Sequence, residues 1–354
     1  MNAKPPAWGA RGEAAGSAWV TTLLLLALAV LTVQLQKALT NCLPETYPFF
    51  SQYLNLKLPL IFKGRVLMRV LIRALSALGL FGGDPARVNT LLQILFLWAA
   101  LCLILRIARR FVAHSATACV APVLACAFLP WGFLEVGFNF SFPYDLPTVF
   151  YCALGILFLL RRQFWPFLAA VVVGTLNKET MLWLVAAYVF QTLLDREPGV
   201  RPWLRMILLG GVFAACYFGP RALLATSADH AVFTVSSRVD QVMKNGTITH
   251  TRLQSNLQEL RLNFRGTIYQ NVYWAFLLHL PALIGWRRLP RQLRLLYAGV
   301  PFLLVPLFLF TNICELRLYN EIIPLGAVAA TCVLGNFQQA EKLNAGQSLG
   351  TAGS

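Results

Sequence analysis

Apolar stretches close to the length of a bilayer crossing recur from residue 18 to residue 337, joined mostly by short arginine-rich connections. Roughly 20 apolar residues in a helix cross the hydrocarbon core, where every backbone polar group must be satisfied within the fold. Hydropathy marks about ten such stretches: 18–37, 88–106, 112–130, 146–160, 164–177, 180–194, 204–224, 269–286, 294–311 and 321–337. The chain is 58% hydrophobic and only 12% charged, about half the charged share of a soluble domain. The expected fold is therefore all-α: a polytopic membrane protein with about ten transmembrane helices. Residues 1–17 read as a cytoplasmic tail, 18–337 as the membrane domain and 338–354 as a flexible cytoplasmic tail. The first stretch lacks a clear small-residue cleavage site and reads as a retained span.

The net charge of +16 does not point to nucleic acid, because the basic residues are scattered through short connections and no nucleic-acid-binding motif accompanies them. They fix sidedness instead. With the amino terminus in the cytoplasm, Arg106, Arg109, Arg110, Arg161, Arg162, Arg201, Arg205, Arg287, Arg288, Arg291 and Arg294 all fall inside, as the positive-inside rule requires. Ten of the fourteen acids then fall outside. Chemistry that needs a carboxylate is expected on the outer face. No metal-ligand spacing of Cys or His occurs, and most of the eight cysteines lie inside apolar stretches; Cys42 and Cys314 near the outer face are the two that could pair.

The apolar run from Phe164 to Leu194 is interrupted by Asn177-Lys178-Glu179-Thr180. A lysine and a glutamate at membrane depth must be paired, hydrated or functional. The run is too long for one ordinary span and barely long enough for two, so a tight hairpin with the tetrapeptide at its tip is expected. Reading it as a single span would put every later arginine-rich loop on the wrong side. Either a Lys178–Glu179 pair in a plain turn or a substrate-facing site satisfies this pattern.

Two outer loops are long, at about 38–87 and 225–268. In the first, spacings of four place Arg65, Arg69 and Arg73 on one helical face amid leucine, valine and isoleucine, as in an amphipathic helix lying in the membrane plane. The stripe either anchors to headgroups or holds a phosphate, which guanidinium geometry suits. The second loop reads as a polar cap with a helix over 252–263. Carboxylates recur at span ends: Glu135 and Asp145 around Phe142-Pro-Tyr-Asp-Leu-Pro147, Glu179 at the hairpin, and Glu315 with Arg317 and Glu321 before the last span.

The segments GRVLMRVL at 64–71, PYDLP at 143–147, GTLNKETMLWL at 174–184 and CELRLYNEIIPL at 314–325 carry a resemblance. The chain resembles GT-C-type integral membrane glycosyltransferases, specifically bacterial members without an assigned activity. That resemblance implies transfer of a sugar from a polyprenyl-phosphate-linked donor to an acceptor at the periplasmic or lumenal face, in a bacterial inner membrane. Glu179, Asp145 or Glu45 would act as base or metal ligand, a divalent cation being admissible. Asn177, Lys178, Thr180, Arg65, Arg69, Arg73, Glu315 and Arg317 would bind substrate. Such enzymes commonly carry an acidic pair in the first outer loop, where this chain has the isolated Glu45 and Asp84. The same groups would also serve a transporter or flippase for an anionic or lipid-linked substrate, and a non-catalytic envelope-assembly protein is the third class.

Overall fold

The computed structural model describes residues 15–40, 48–57, 63–130, 142–195, 199–225, 241–244, 247–251, 254, 257, 276–310 and 316–350. The fold is helical. Four segments among these residues are long and apolar enough to cross a membrane: Ala18–Ala38, Pro85–Phe111, Arg201–Leu224 and Arg291–Leu309. Of the other six expected spans, five correspond to shorter helices or to segments described only in part, and 321–337 falls largely on the long helix Ile323–Gly350. Leu24 is 65% exposed, Ile207 70% and Leu223 86%. Contiguous apolar faces of this kind are stable in lipid and a liability in water, and they mark a membrane protein.

Helix α1 (Ala15–Thr40) lies against α4 (Pro85–Phe111), which it joins through Lys37 Nζ to Thr90 Oγ1 at 2.6 Å and Trp98 Nε1 to the Thr22 carbonyl at 3.3 Å. Between them come α2 (Pro48–Leu54) and α3 (Val66–Ala77). Helix α4 starts where it does for local reasons. Pro85 occupies its first turn, and Asp84 accepts from the Ala86 N–H at 2.8 Å while pairing with Arg87 at 3.1 Å. Asp84, one of two isolated first-loop acids, is thus a helix cap. Short α5 (Ser115–Ala118) and α6 (Val120–Phe128) follow, and then α7 (Asp145–Leu160), which packs along α4.

The run from Phe164 to Asp195 does reverse. Helix α8 (Phe164–Asn177) stops at Lys178, whose backbone is extended (φ −161°, ψ 135°); a 3₁₀ turn at Glu179–Met181 leads into α9 (Leu182–Asp195). Asp195, at the end of α9, returns to the level of the α7–α8 turn, accepting from Arg162 at 2.7 Å and lying 3.0 Å from Arg291. After α10 (Arg201–Leu224), strands β1 (Gln241–Lys244) and β2 (Thr247–Thr251) form an antiparallel ribbon. The sequence predicts a polar cap here and a helix only further on, over 252–263. Thr247, Ile248, Thr249 and Thr251 are β-branched, and the intervening Asn245-Gly246 is a strong hairpin signal. Most of 252–263 lies outside the described residues, as do Cys42 and Cys314.

The remaining helices are α11 (Leu280–Ile284), α12 (Arg291–Tyr297), α13 (Pro301–Phe310) and α14 (Ile323–Gly350). The last continues past residue 337, where a flexible tail was expected. One contiguous apolar core links α1, α4, the α7–α9 segment and α14. It is tightest at the start of α13: a Cβ on Gly299 would collide with the Trp183 carbonyl oxygen and lie 2.8 Å from the Ala187 Cβ, whereas one on Gly211 would meet nothing within 4 Å. Backbone cannot yield as a side chain does. Gly299→Ala should therefore destabilise by about 1–3 kcal/mol, read as a lower detergent melting temperature. Gly211→Ala should be neutral or slightly stabilising.

Candidate functional site

The hairpin tip is fastened to the start of α7 by Asn177. Its Nδ2 donates to the Tyr144 carbonyl at 2.9 Å and to Thr148 Oγ1 at 2.7 Å, and Thr148 donates in turn to the same carbonyl at 2.6 Å. This seats Lys178 over Asp145, the first residue of α7. The ammonium lies 3.2 Å from Asp145 Oδ1 and 2.6 Å from Glu321 Oε1, Glu321 coming from the 316–322 turn before α14. All three side chains are 1–2% exposed. One ammonium against two carboxylates leaves this inner cluster with a formal surplus of negative charge.

Glu179 turns the other way. Arg65 grips it with both arms, Nε to Oε2 at 3.0 Å and Nη2 to Oε1 at 2.5 Å, and Arg221 Nη2 lies 3.4 Å from Oε2. Aromatic rings back both guanidiniums: Arg65 sits 4.4 Å over Tyr144 and Arg221 4.0 Å over Tyr217. Tyr53 donates to the Arg65 carbonyl at 2.8 Å. Gly64 packs closely here, since a Cβ there would stand 2.8 Å from the Arg221 guanidinium and push it aside. Burial alone would push the Glu179 carboxyl up, but the two arginines hold it at about 2. A carboxylate clamped in this way is a weak base and a firm anchor.

Arg69 differs from its neighbours. It is 7% exposed, its Nη1 is fully enclosed without a hydrogen-bond partner, and no carboxylate pairs with it among the described residues. A buried cation is normally paired. The expected stripe of Arg65, Arg69 and Arg73 on one face does not share one environment. Arg65 and Arg69 turn inward, and Arg73 is the exposed member, donating to Asn55 Oδ1 at 3.2 Å.

Of the other expected site residues, Thr180 adjoins Glu321, and Arg317 belongs to the 316–322 turn. Glu45 and Glu315 lie outside the described residues. A Lys178–Glu179 pair does not form, because the two side chains serve separate clusters. Lys178 is also sealed, where access from the outer face was expected. Arg221 was not foreseen as a site residue; an arginine after Pro220 near the end of an apolar helix was its one signal. Among the described residues no three His, Cys, Asp or Glu side chains gather as metal ligands.

Comparison with known proteins gives no match to a family model, to a curated protein or to a solved structure.

The charge arrangement predicts how variants should behave. Lys178→Met strands Asp145 and Glu321 and should cost about 3–5 kcal/mol. Adding Asp145→Asn and Glu321→Gln should recover most of that loss, whereas adding Glu179→Gln should recover none. Melting temperatures of the purified variants in detergent distinguish these outcomes.

Proposed function

We propose that this protein is a membrane glycosyltransferase that takes sugar from a polyprenyl-phosphate-linked donor at the outer face. The observation that carries the reading is Arg69, a buried guanidinium with no carboxylate partner among the described residues, one helical turn from Arg65. An anionic ligand group supplies the missing charge, and a phosphate at the end of a lipid reaches it from the bilayer.

In this reading the donor phosphate is held by Arg69, with Arg65 and Arg221 aimed by Glu179. Asp145, in the negatively charged inner cluster, takes the proton of the acceptor hydroxyl. The hydroxyl oxygen bonds to the anomeric carbon as the bond from that carbon to phosphate oxygen breaks. The phosphate leaves with the electron pair, its growing charge met by the guanidiniums. Lys178 positions Asp145 and Glu321, and Asn177 positions Lys178. Glu179 passes from candidate base to anchor.

The topology in this proposal keeps about ten crossings, with the shorter helices as tilted or partial spans, α3 in the membrane plane and the amino terminus cytoplasmic. Single cysteines at Arg73 and Gln163, both exposed, should report opposite sides in a cysteine-free background. An impermeant reagent should label position 73 in intact cells and position 163 only after permeabilisation; the reverse order would overturn the sidedness.

For the activity, the full chain in detergent should consume polyprenyl-phosphate-linked sugar. Arg69→Gln should weaken polyprenyl-phosphate binding by roughly 10–100-fold, the value of a charge-assisted hydrogen bond, and Arg73→Gln by much less. Asp145→Asn should abolish transfer while retaining binding. Equal effects of the two arginine variants would remove the phosphate site. Arg69-dependent binding without sugar transfer would favour the transporter class.

A further inference from the structure

The opposite end of the helical bundle carries a second basic site, unrelated to the outer cluster. A groove opens there between α7, α8, α9 and α10. Its floor is apolar and aromatic: Phe158 and Phe167 line it with Tyr188, whose ring stacks on Phe167 at 5.6 Å. Its rim is polar, with Arg162, Gln163, Thr192 and Arg205. An apolar groove under a cationic rim fits an amphiphile whose head is negative.

Two observations fix the level and the charge. Trp165 and Trp203 stand in the first turns of α8 and α10, which pack together, and are 67% and 57% exposed. Exposed tryptophans at helix ends sit at the headgroup level of a bilayer. The groove rim shares these turns and therefore lies at the same level. Arg205 is stacked 5.2 Å over Phe164 and has no carboxylate partner among the described residues. The nearby Asp195 is already shared between Arg162 at 2.7 Å and Arg291 at 3.0 Å. Among the described residues the rim thus carries more guanidiniums than carboxylates, beside an oily floor. Arg162 also holds a left-handed backbone (φ 56°) at the turn joining α7 and α8, a position where glycine is usual.

We propose that this groove binds one anionic phospholipid, its phosphodiester on Arg205 and Arg162 and one acyl chain along the half-buried Phe158 and Tyr188. Basic pockets between membrane helices at headgroup level suit that ligand class. The site uses none of the residues assigned to sugar transfer, so it stands or falls separately.

Native mass spectrometry of the full chain from mixed micelles tests the proposal, with phosphatidylglycerol and phosphatidylcholine as probes. The wild type should retain one phosphatidylglycerol in preference to phosphatidylcholine. Arg205→Gln should weaken that retention about fivefold, the factor matching roughly 1 kcal/mol per guanidinium near a membrane surface. Arg205→Lys should fall between, keeping the charge and losing the planar fork. Arg287→Gln, which removes an equal charge from an exposed position at the same end, should leave retention unchanged. Equal retention of the two lipids by the wild type would overturn the site, and this comparison needs no variant to fold. Equal losses in Arg205→Gln and Arg287→Gln would reduce it to diffuse surface attraction. Inorganic phosphate displacing the lipid completely would show that the apolar floor contributes nothing.

Discussion

Lys178 is enclosed between two carboxylates, and much of the architecture around it follows from the cost of putting it there. Removing an ammonium from water costs several kcal/mol, recovered only if opposite charges meet it at short range. Asp145 and Glu321 do so at 3.2 and 2.6 Å, and they come from segments far apart in sequence. The hairpin tip, the start of α7 and the turn before α14 therefore cannot be placed independently. Asn177 adds a neutral fastening to the same backbone, and Arg65 with Glu179 ties in the loop before α3. Electrostatics specifies which elements meet; the apolar core supplies the burial that makes the meeting costly to undo.

The hairpin was legible because a charged tetrapeptide cannot sit mid-span, and the arginine-rich turns independently required a reversal. Pairing was not legible. Lys178 and Glu179 are adjacent in sequence, which favours the idea that they neutralise each other. Lys178 is extended, however, and successive side chains on extended backbone point to opposite sides. Their true partners are up to 143 positions away for Lys178 and 114 for Glu179, counting Glu321 and Arg65. No local pattern encodes such distances. The stripe on α3 misled for a related reason. Its periodicity was correct, but periodicity names a face without saying whether that face turns toward solvent or protein. Exposed Val70 and buried Arg69 show the inversion expected where lipid lies outside.

Asp84 and the β-ribbon illustrate the other kind of miss. Asp84 followed by Pro85 is a helix start, so its acidity serves a backbone N–H instead of a substrate. Asn245-Gly246 between β-branched residues carried a turn signal that the polar composition of the loop obscured. In both cases local backbone chemistry decides the structure.

The α8–α9 segment is held by charge at both ends, by Asp145 and Glu321 at its tip and by Arg162 and Arg291 converging on Asp195 at its base. A lever pinned twice cannot swing. Any motion that unseals the inner cluster must belong to its surroundings, among them the 316–322 turn, which Glu321 ties to Lys178 and from which α14 continues. The α8–α9 pair then acts as the stator of this protein, the fixed part against which its neighbours are placed.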